Sequence, residues 1–248
     1  MSGLFGKVAL VTGGSRGIGA GIARRLALDG AHVVITFANN TIAAKSVLDD
    51  IQKCGSLGEA IQADAVNAAA IASVIDQVIR QFGRLDILVN NAGYMDSSFS
   101  PLPDIPLDTV DQTILVNIRA AFLFAQSASS YLGEGGRIIN IGSCIASRVP
   151  GAGFTLYAMS KSAMTGLTKG LARDLGGKGV TVNQISPGPI DTDMNPVNGP
   201  NADFWRRLTV PGRYGSTTDI AAVVSFLASK EADFVTGADI AVDGGTNI

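Results

Sequence analysis

Across 248 residues the chain is 46% hydrophobic and 16% charged, with a formal net charge of −2, the make-up of a core-rich globular protein and not of a disordered one. No basic block is present, so nucleic acid and anionic membranes are not expected as main partners, and no run of about 18 apolar residues offers a transmembrane helix. A single histidine, His32, excludes a histidine-based metal cluster and argues against a Ser-His-Asp hydrolase.

Short apolar runs alternate with longer segments of helical period. The strand candidates, in order, are Val8–Thr12, His32–Phe37, Glu59–Ala63, Asp86–Asn90, Arg137–Ile141, Thr181–Ser186 and Asp239–Val242. They are continuously apolar or β-branched, as parallel strands covered on both faces require. Between them Ile18, Ile22 and Leu26 recur one helical turn apart before Gly30. Val47, Leu48 and Ile51 do so before Gly55, and Ile71, Val74, Ile75, Val78 and Ile79 before Gly83. Glycine is a common helix stop. This rhythm predicts an α/β fold: one doubly wound Rossmann-type domain over residues 1–248, with a seven-stranded, mostly parallel sheet between two helical layers. His32 reads as a strand-edge residue. Cys54 and Cys144 read as reduced thiols and not a disulfide framework. The N-terminus runs from Met1-Ser2-Gly3 straight into a strand with no apolar signal core, so a cytoplasmic protein is expected, and no metal is.

Chemistry enters at the first strand–helix turn. Gly13-Gly14-Ser15-Arg16-Gly17-Ile18-Gly19 follows an apolar strand and opens an apolar helix. Glycines let backbone approach a pyrophosphate, and the helix N-terminus offers free N–H groups and a positive dipole end. The spacing Gly-x-x-x-Gly-x-Gly differs from the common dinucleotide fingerprint. Further on, Tyr157 and Lys161 stand four apart, on one face of a helix. A lysine ammonium near a phenol, together with an oxidised nicotinamide, is expected to lower the phenol's pKa toward neutrality. The stretch from Ser186 to Thr217 carries five of the nine prolines and follows the sixth strand, where ligands bind in open α/β sheets. A substrate lid over about 188–216 is expected.

Taken together, these residues resemble the short-chain dehydrogenase/reductase family over essentially the full length. Thr12-Gly13-x-x-x-Gly17-x-Gly19 is similar to its cofactor turn, with Ser15, Arg16 and Ile18 inside it. Asp64, followed by Ala65, resembles its adenine-contacting acid, and Asn90-Asn91-Ala92-Gly93 its motif after the fourth strand. Asn117, Ser143 and Tyr157-Ala158-Met159-Ser160-Lys161 resemble its catalytic set. Pro187-Gly188, with Ile190 and Thr192 beyond, and Asp243-Gly244-Gly245 also fit.

The resemblance implies a carbonyl reductase similar to 3-oxoacyl reductases. Tyr157 would deliver the proton and Ser143 would hold the substrate oxygen. Lys161 would bond the nicotinamide ribose, and Asn117 would anchor a water linking Lys161 to solvent. NADP(H) is expected over NAD: no acid occurs between Asp29 and Asp49, whereas NAD-selective members usually carry one near position 37. Arg16, Asn39 and Asn40 are the candidates for the 2′-phosphate.

The substrate is expected to be an uncharged or partly apolar ketone. Tyr94, Met95, Cys144, Ile145, Val149, Phe154, Pro189, Met194, Phe204 and Trp205 are the bordering residues. Arg206, Arg207 and Arg213 are candidates for an anionic acyl carrier. Pro187–Pro196 also resembles a bacterial branch linked to biofilm dispersal and signalling nucleotides, which leaves a nucleotide-binding regulator as the alternative. A homotetramer is expected, with helices near Pro106–Tyr131 and Thr155–Leu175 at one interface.

Overall fold

Runs that are apolar at every position have no solvent face to offer, and here they become the strands of one sheet. In the computed structural model, which describes residues 3–96 and 98–248, these are β1 (Val8–Val11), β2 (His32–Phe37), β3 (Gly58–Gln62), β4 (Ile87–Asn90), β5 (Arg137–Ile141), β6 (Thr181–Pro187) and β7 (Asp239–Val242). Met1 and Ser2, where the N-terminal reading began, lie outside the described residues. Every strand pair is parallel, in the order β3-β2-β1-β4-β5-β6-β7. The expected "mostly parallel" sheet is thus parallel throughout. Its order reverses between β1 and β4, the switch point at which doubly wound sheets open a crevice.

Alternation along each strand divides the core in two. Ala9 and Val11 face α1 (Gly17–Leu28), α2 (Thr41–Lys53) and α8 (Thr217–Ala228), through Ile22, Leu26, Val47, Ile51, Ile220 and Val224. Val8 and Leu10 face α3 (Ala68–Phe82), α5 (Ala120–Ala128) and α6 (Thr155–Gly176), through Ile71, Ile75, Phe124 and Leu175. Each fully buried Leu or Ile contributes about 1.5–3 kcal/mol. Gly83 ends α3 in the left-handed conformation at φ 72, where a Cβ is disfavoured. His32 opens β2, and its Nδ1 accepts from the Leu57 backbone N–H at 3.2 Å, as a strand-edge residue should.

Two expected elements differ in detail. The apolar segment near Pro106–Tyr131 is not one regular helix: α4 (Leu107–Ile114) and α5 are joined by a π-turn over Leu115–Arg119. The proline-rich stretch after β6 contains a short helix, α7 (Ala202–Leu208), and is tied down by bridges between Ile190 and Gly215 and between Thr192 and Asn195.

Candidate active site

A cleft of about 690 Å³ runs along the carboxyl ends of the central strands. At its floor the two halves of the sheet are stitched together. Thr12 Oγ1 accepts from the backbone N–H groups of Asn91 and Ala92 at 2.9 and 3.0 Å, and Asn91 Nδ2 donates to the carbonyls of Thr12 and Gly13. The glycines of the first turn have steric reasons. Gly17 sits at φ 52, and a Cβ on Gly19 would fall 2.4 Å from Asn91 Nδ2. Arg16 precedes α1 in extended conformation without a side-chain cap, so the first-turn N–H groups have no side-chain acceptor. This arrangement fits a dinucleotide pyrophosphate.

The cleft wall includes Gly13, Ser15, Arg16, Gly17, Ile18 and Gly19 from the turn, and Asp64, Ala65, Asn91, Ala92 and Gly93 beyond β3 and β4. Pro187, Gly188, Ile190 and Thr192 close it from the β6 side. Gly188 packs on the terminal motif, since a Cβ there would lie 2.5 Å from Asp243 Cα. The β2 side of the wall is Thr36, Phe37 and Ala38, with no carboxylate. Asn39 and Asn40 are not brought to it. Asn40 instead caps α2, its Oδ1 accepting from the Ala43 N–H at 2.9 Å. Asn is also among the residue types that favour helix caps.

The four expected catalytic residues do converge. The helical period of α6 carries Tyr157 and Lys161 together, with Lys161 Nζ 5.8 Å from the Tyr157 ring centre. Lys161 is buried and donates to the Ile141 carbonyl at 3.0 Å. Ser143 acts on the Tyr157 hydroxyl, opposing the effect of burial on it, and its Oγ accepts from the Ile145 N–H.

Asn117 lies in the π-turn, a distortion frequent at functional sites. Its Nδ2 donates to the Tyr94 carbonyl and to Ser160 Oγ at 2.8 and 2.9 Å, and its Oδ1 accepts from the Tyr94 N–H at 2.7 Å. The side chain expected to anchor a water is therefore bonded within the protein, to Tyr94 and Ser160. Ser160 itself donates to the Tyr157 carbonyl. Ser160 was not singled out from the sequence, although it stands inside the Tyr-x-x-x-Lys motif.

The electrostatics of the chain alone supply half of the expected arrangement. Burial pushes the Tyr157 hydroxyl up to about 12, against a lowering by Ser143. Burial likewise takes Lys161 down to about 8. The chain alone does not acidify the phenol, because desolvation penalises phenolate and ammonium alike. A further positive charge in the cleft is needed to favour phenolate.

At the substrate end the wall includes Tyr94, Met95, Cys144, Ile145, Pro189, Met194 and Trp205. Phe154 is buried behind it, and Val149 and Phe204 are exposed away from it. Cys144 lines the wall, and burial raises its thiol to about 11, which disfavours the reactive thiolate. Arg206 pairs with Asp203 at 2.6 Å, Arg213 donates to the Tyr214 carbonyl, and Arg207 is exposed. None of the three lines the cleft.

One element escaped sequence reading. The C-terminal tail clamps the segment after Ser143: Asn247 Nδ2 donates to the Cys144 carbonyl at 2.9 Å, and Arg148 Nη1 donates to the Thr246 carbonyl at 2.8 Å. Among the described residues no group of three His, Cys, Asp or Glu could hold a metal, and no helix is long and apolar enough to cross a membrane.

Comparison with known proteins gives this geometry a context. Residues 13–247 match a family model described as enoyl-(acyl carrier protein) reductase. A cyclic-di-GMP-binding biofilm dispersal mediator protein of Escherichia coli K12 is 43% identical over 98% of both chains. A hydroxynaphthalene reductase of Aspergillus fumigatus is 42% identical over 94% of this chain and 90% of its own. A short-chain dehydrogenase of Burkholderia cenocepacia, crystallised in complex with NADP, superposes with a TM-score of 0.97 at 49% identity, covering 99% of this chain and 100% of that one.

Proposed function

The chain belongs to the short-chain dehydrogenase/reductase family, and on that premise we propose that it reduces a ketone to an alcohol with NADPH, Tyr157 delivering the proton. The observation that carries this reading is the Ser143–Tyr157 hydroxyl pair with the buried Lys161 beneath it, at the wall of a cleft whose other end suits a dinucleotide. When bound, the cofactor supplies hydride to the carbonyl carbon. Ser143 and Tyr157 hold the carbonyl oxygen between two hydroxyl donors, where negative charge develops. The C=O π bond opens as the C–H bond forms, and the Tyr157 proton completes the alcohol. Lys161, buried beneath Tyr157, would then return a proton toward it.

The NADP choice is supported by the acid-free β2 side of the cleft, by Arg16 in its wall, and by the NADP in the Burkholderia relative's crystals. A 3-oxoacyl group on an acyl carrier has less support, because the lid arginines do not line the cleft. We further infer a single domain with a lid over 188–216, a cytoplasmic location and a homotetramer. Phe122 and Met159, exposed on α5 and α6, support the last, and light scattering tests it.

The Escherichia coli relative's printed name keeps a second reading in view, a nucleotide-binding regulator on the same fold. The convergence of Asn117, Ser143, Tyr157 and Lys161 favours the enzyme, since a binder has no need of all four. The test is NADPH oxidation against a ketone panel, with Tyr157→Phe as control and calorimetry against cyclic-di-GMP in parallel. Tyr157→Phe should lower kcat by about 100-fold or more while NADPH still binds. Retained turnover in that variant overturns the role of Tyr157, and absence of turnover in the parent chain overturns the reductase.

A further inference from the structure

Two aromatic side chains from separate segments face each other's territory at the substrate end: Phe99, in the loop after β4, and Trp205, on α7. A third, Phe154, is buried and does not line the cleft. Its ring stands edge-on to both, with centroids 5.1 Å from Phe99 and 5.7 Å from Trp205. A buried ring locked against two cleft rings sets their positions and couples the lid helix to the body.

Phe99 is held in an unusual state. It sits at φ 49, the one non-glycine residue at positive φ among the described residues. A bulky side chain adopts that region only where its surroundings impose it, and such outliers gather at ligand-shaping positions. The surrounding that permits it is Gly153, at φ 87, where a Cβ would lie 3.2 Å from the Phe99 Cβ. Phe99 and Tyr157 both line a second, small cavity of about 20 Å³ as well as the main cleft.

Charge narrows the ligand. Among the described residues lining the cleft, the cations are Arg16 at the nucleotide end and Lys161 beneath Tyr157. Asp193 in the lid faces Arg16 at 3.8 Å. Arg206, beside Trp205 in sequence, is held by Asp203, by the Val197 carbonyl and over the Tyr214 ring. A carboxylate or phosphate entering the substrate end would lose water and gain no counter-charge.

We propose that the substrate is a neutral aryl ketone whose ring packs between Phe99 and Trp205, and that Phe99 is the residue that selects it. This rests on the reductase reading above. A flat ring can meet both walls edge-on or offset, which is worth about threefold to tenfold in affinity per ring contact beyond the area buried. A saturated ring of the same carbon count gains only the area.

The test compares acetophenone with cyclohexyl methyl ketone, and both with benzoylformate as the charged aryl ketone, using NADPH. kcat/KM for acetophenone should exceed that for either by about tenfold. Phe99→Ala and Gly153→Ala should each bring the acetophenone-to-cyclohexyl ratio toward one, the second by displacing a Phe99 that is still present. Trp205, the chain's single tryptophan, gives a readout independent of turnover. Its emission should change saturably with 1-phenylethanol, and more weakly with 1-cyclohexylethanol. Equal or inverted preference between the two neutral ketones, or efficient turnover of benzoylformate, overturns the aryl assignment and leaves the reductase standing. NADPH oxidation with none of the three overturns both.

Discussion

The buried ammonium of Lys161 donates to the Ile141 backbone carbonyl at 3.0 Å, so the last residue of β5 fixes the cation that lies beneath Tyr157. This contact does not offset the desolvation, and burial holds Lys161 at about 8, below its ordinary 10.5. Between these values the unfolded chain binds more protons than the folded one, so stability rises with pH across the window. Below pH 8 the full penalty applies, about 3 kcal/mol. Tyr157, pushed up to about 12, does not titrate in this range. Urea unfolding of the cofactor-free protein at pH 7.5 and 9.5 should show the parent chain gaining about 1–2 kcal/mol relative to Lys161→Met. An unchanged difference would mean that the ammonium is solvated.

Cofactor preference is expected to depend on charge at the β2 side. Arg16 and Asp193 are both largely exposed and 3.8 Å apart, a pair worth little in water, so Arg16 is available to a 2′-phosphate. Arg16→Ala should raise the KM for NADPH about tenfold with little effect on NADH. Ala38→Asp, at the cleft wall, should lower kcat/KM for NADPH by at least about tenfold through repulsion of the phosphate. Steady-state kinetics with both cofactors check the pair, and a parent chain that prefers NADH contradicts the premise.

Gly19 has no room for a methyl group. Its Cβ would lie 2.4 Å from both Asn91 Nδ2 and the Gly13 carbonyl, the bonds that join the first turn to β4. Gly19→Ala should cost about 1–3 kcal/mol of stability and weaken NADPH binding at least tenfold. Thermal denaturation and cofactor titration by nicotinamide fluorescence measure these. Unaltered binding would show that the turn tolerates displacement.

The tail clamp should act on the substrate side alone. Asn247→Ala removes the donor to the Cys144 carbonyl, next to Ser143, and should cost about 1 kcal/mol of stability. The KM for ketone should rise severalfold while the KM for NADPH holds. Equal rises in both would assign Asn247 a general structural role instead.

Much of this site was legible because it is encoded locally. The seven strands, the helix stops, the glycine turn and the Tyr157–Lys161 spacing are each set within a few residues, by periodicity, by a steric need for glycine or by the helical repeat. The gathering of Asn117, Ser143, Tyr157 and Lys161 followed from the resemblance carried by motifs in their order along the chain. What only the tertiary structure decided is where side chains from distant segments find partners. It turned Asn40 to a cap, committed the Asn117 amide to Tyr94 and Ser160, and tied Arg206 to Asp203. It also buried the Tyr157 phenol, which raises its pKa in the chain alone. Those outcomes depend on burial and on contacts between residues far apart in the chain, and a pattern of neighbouring letters holds neither quantity.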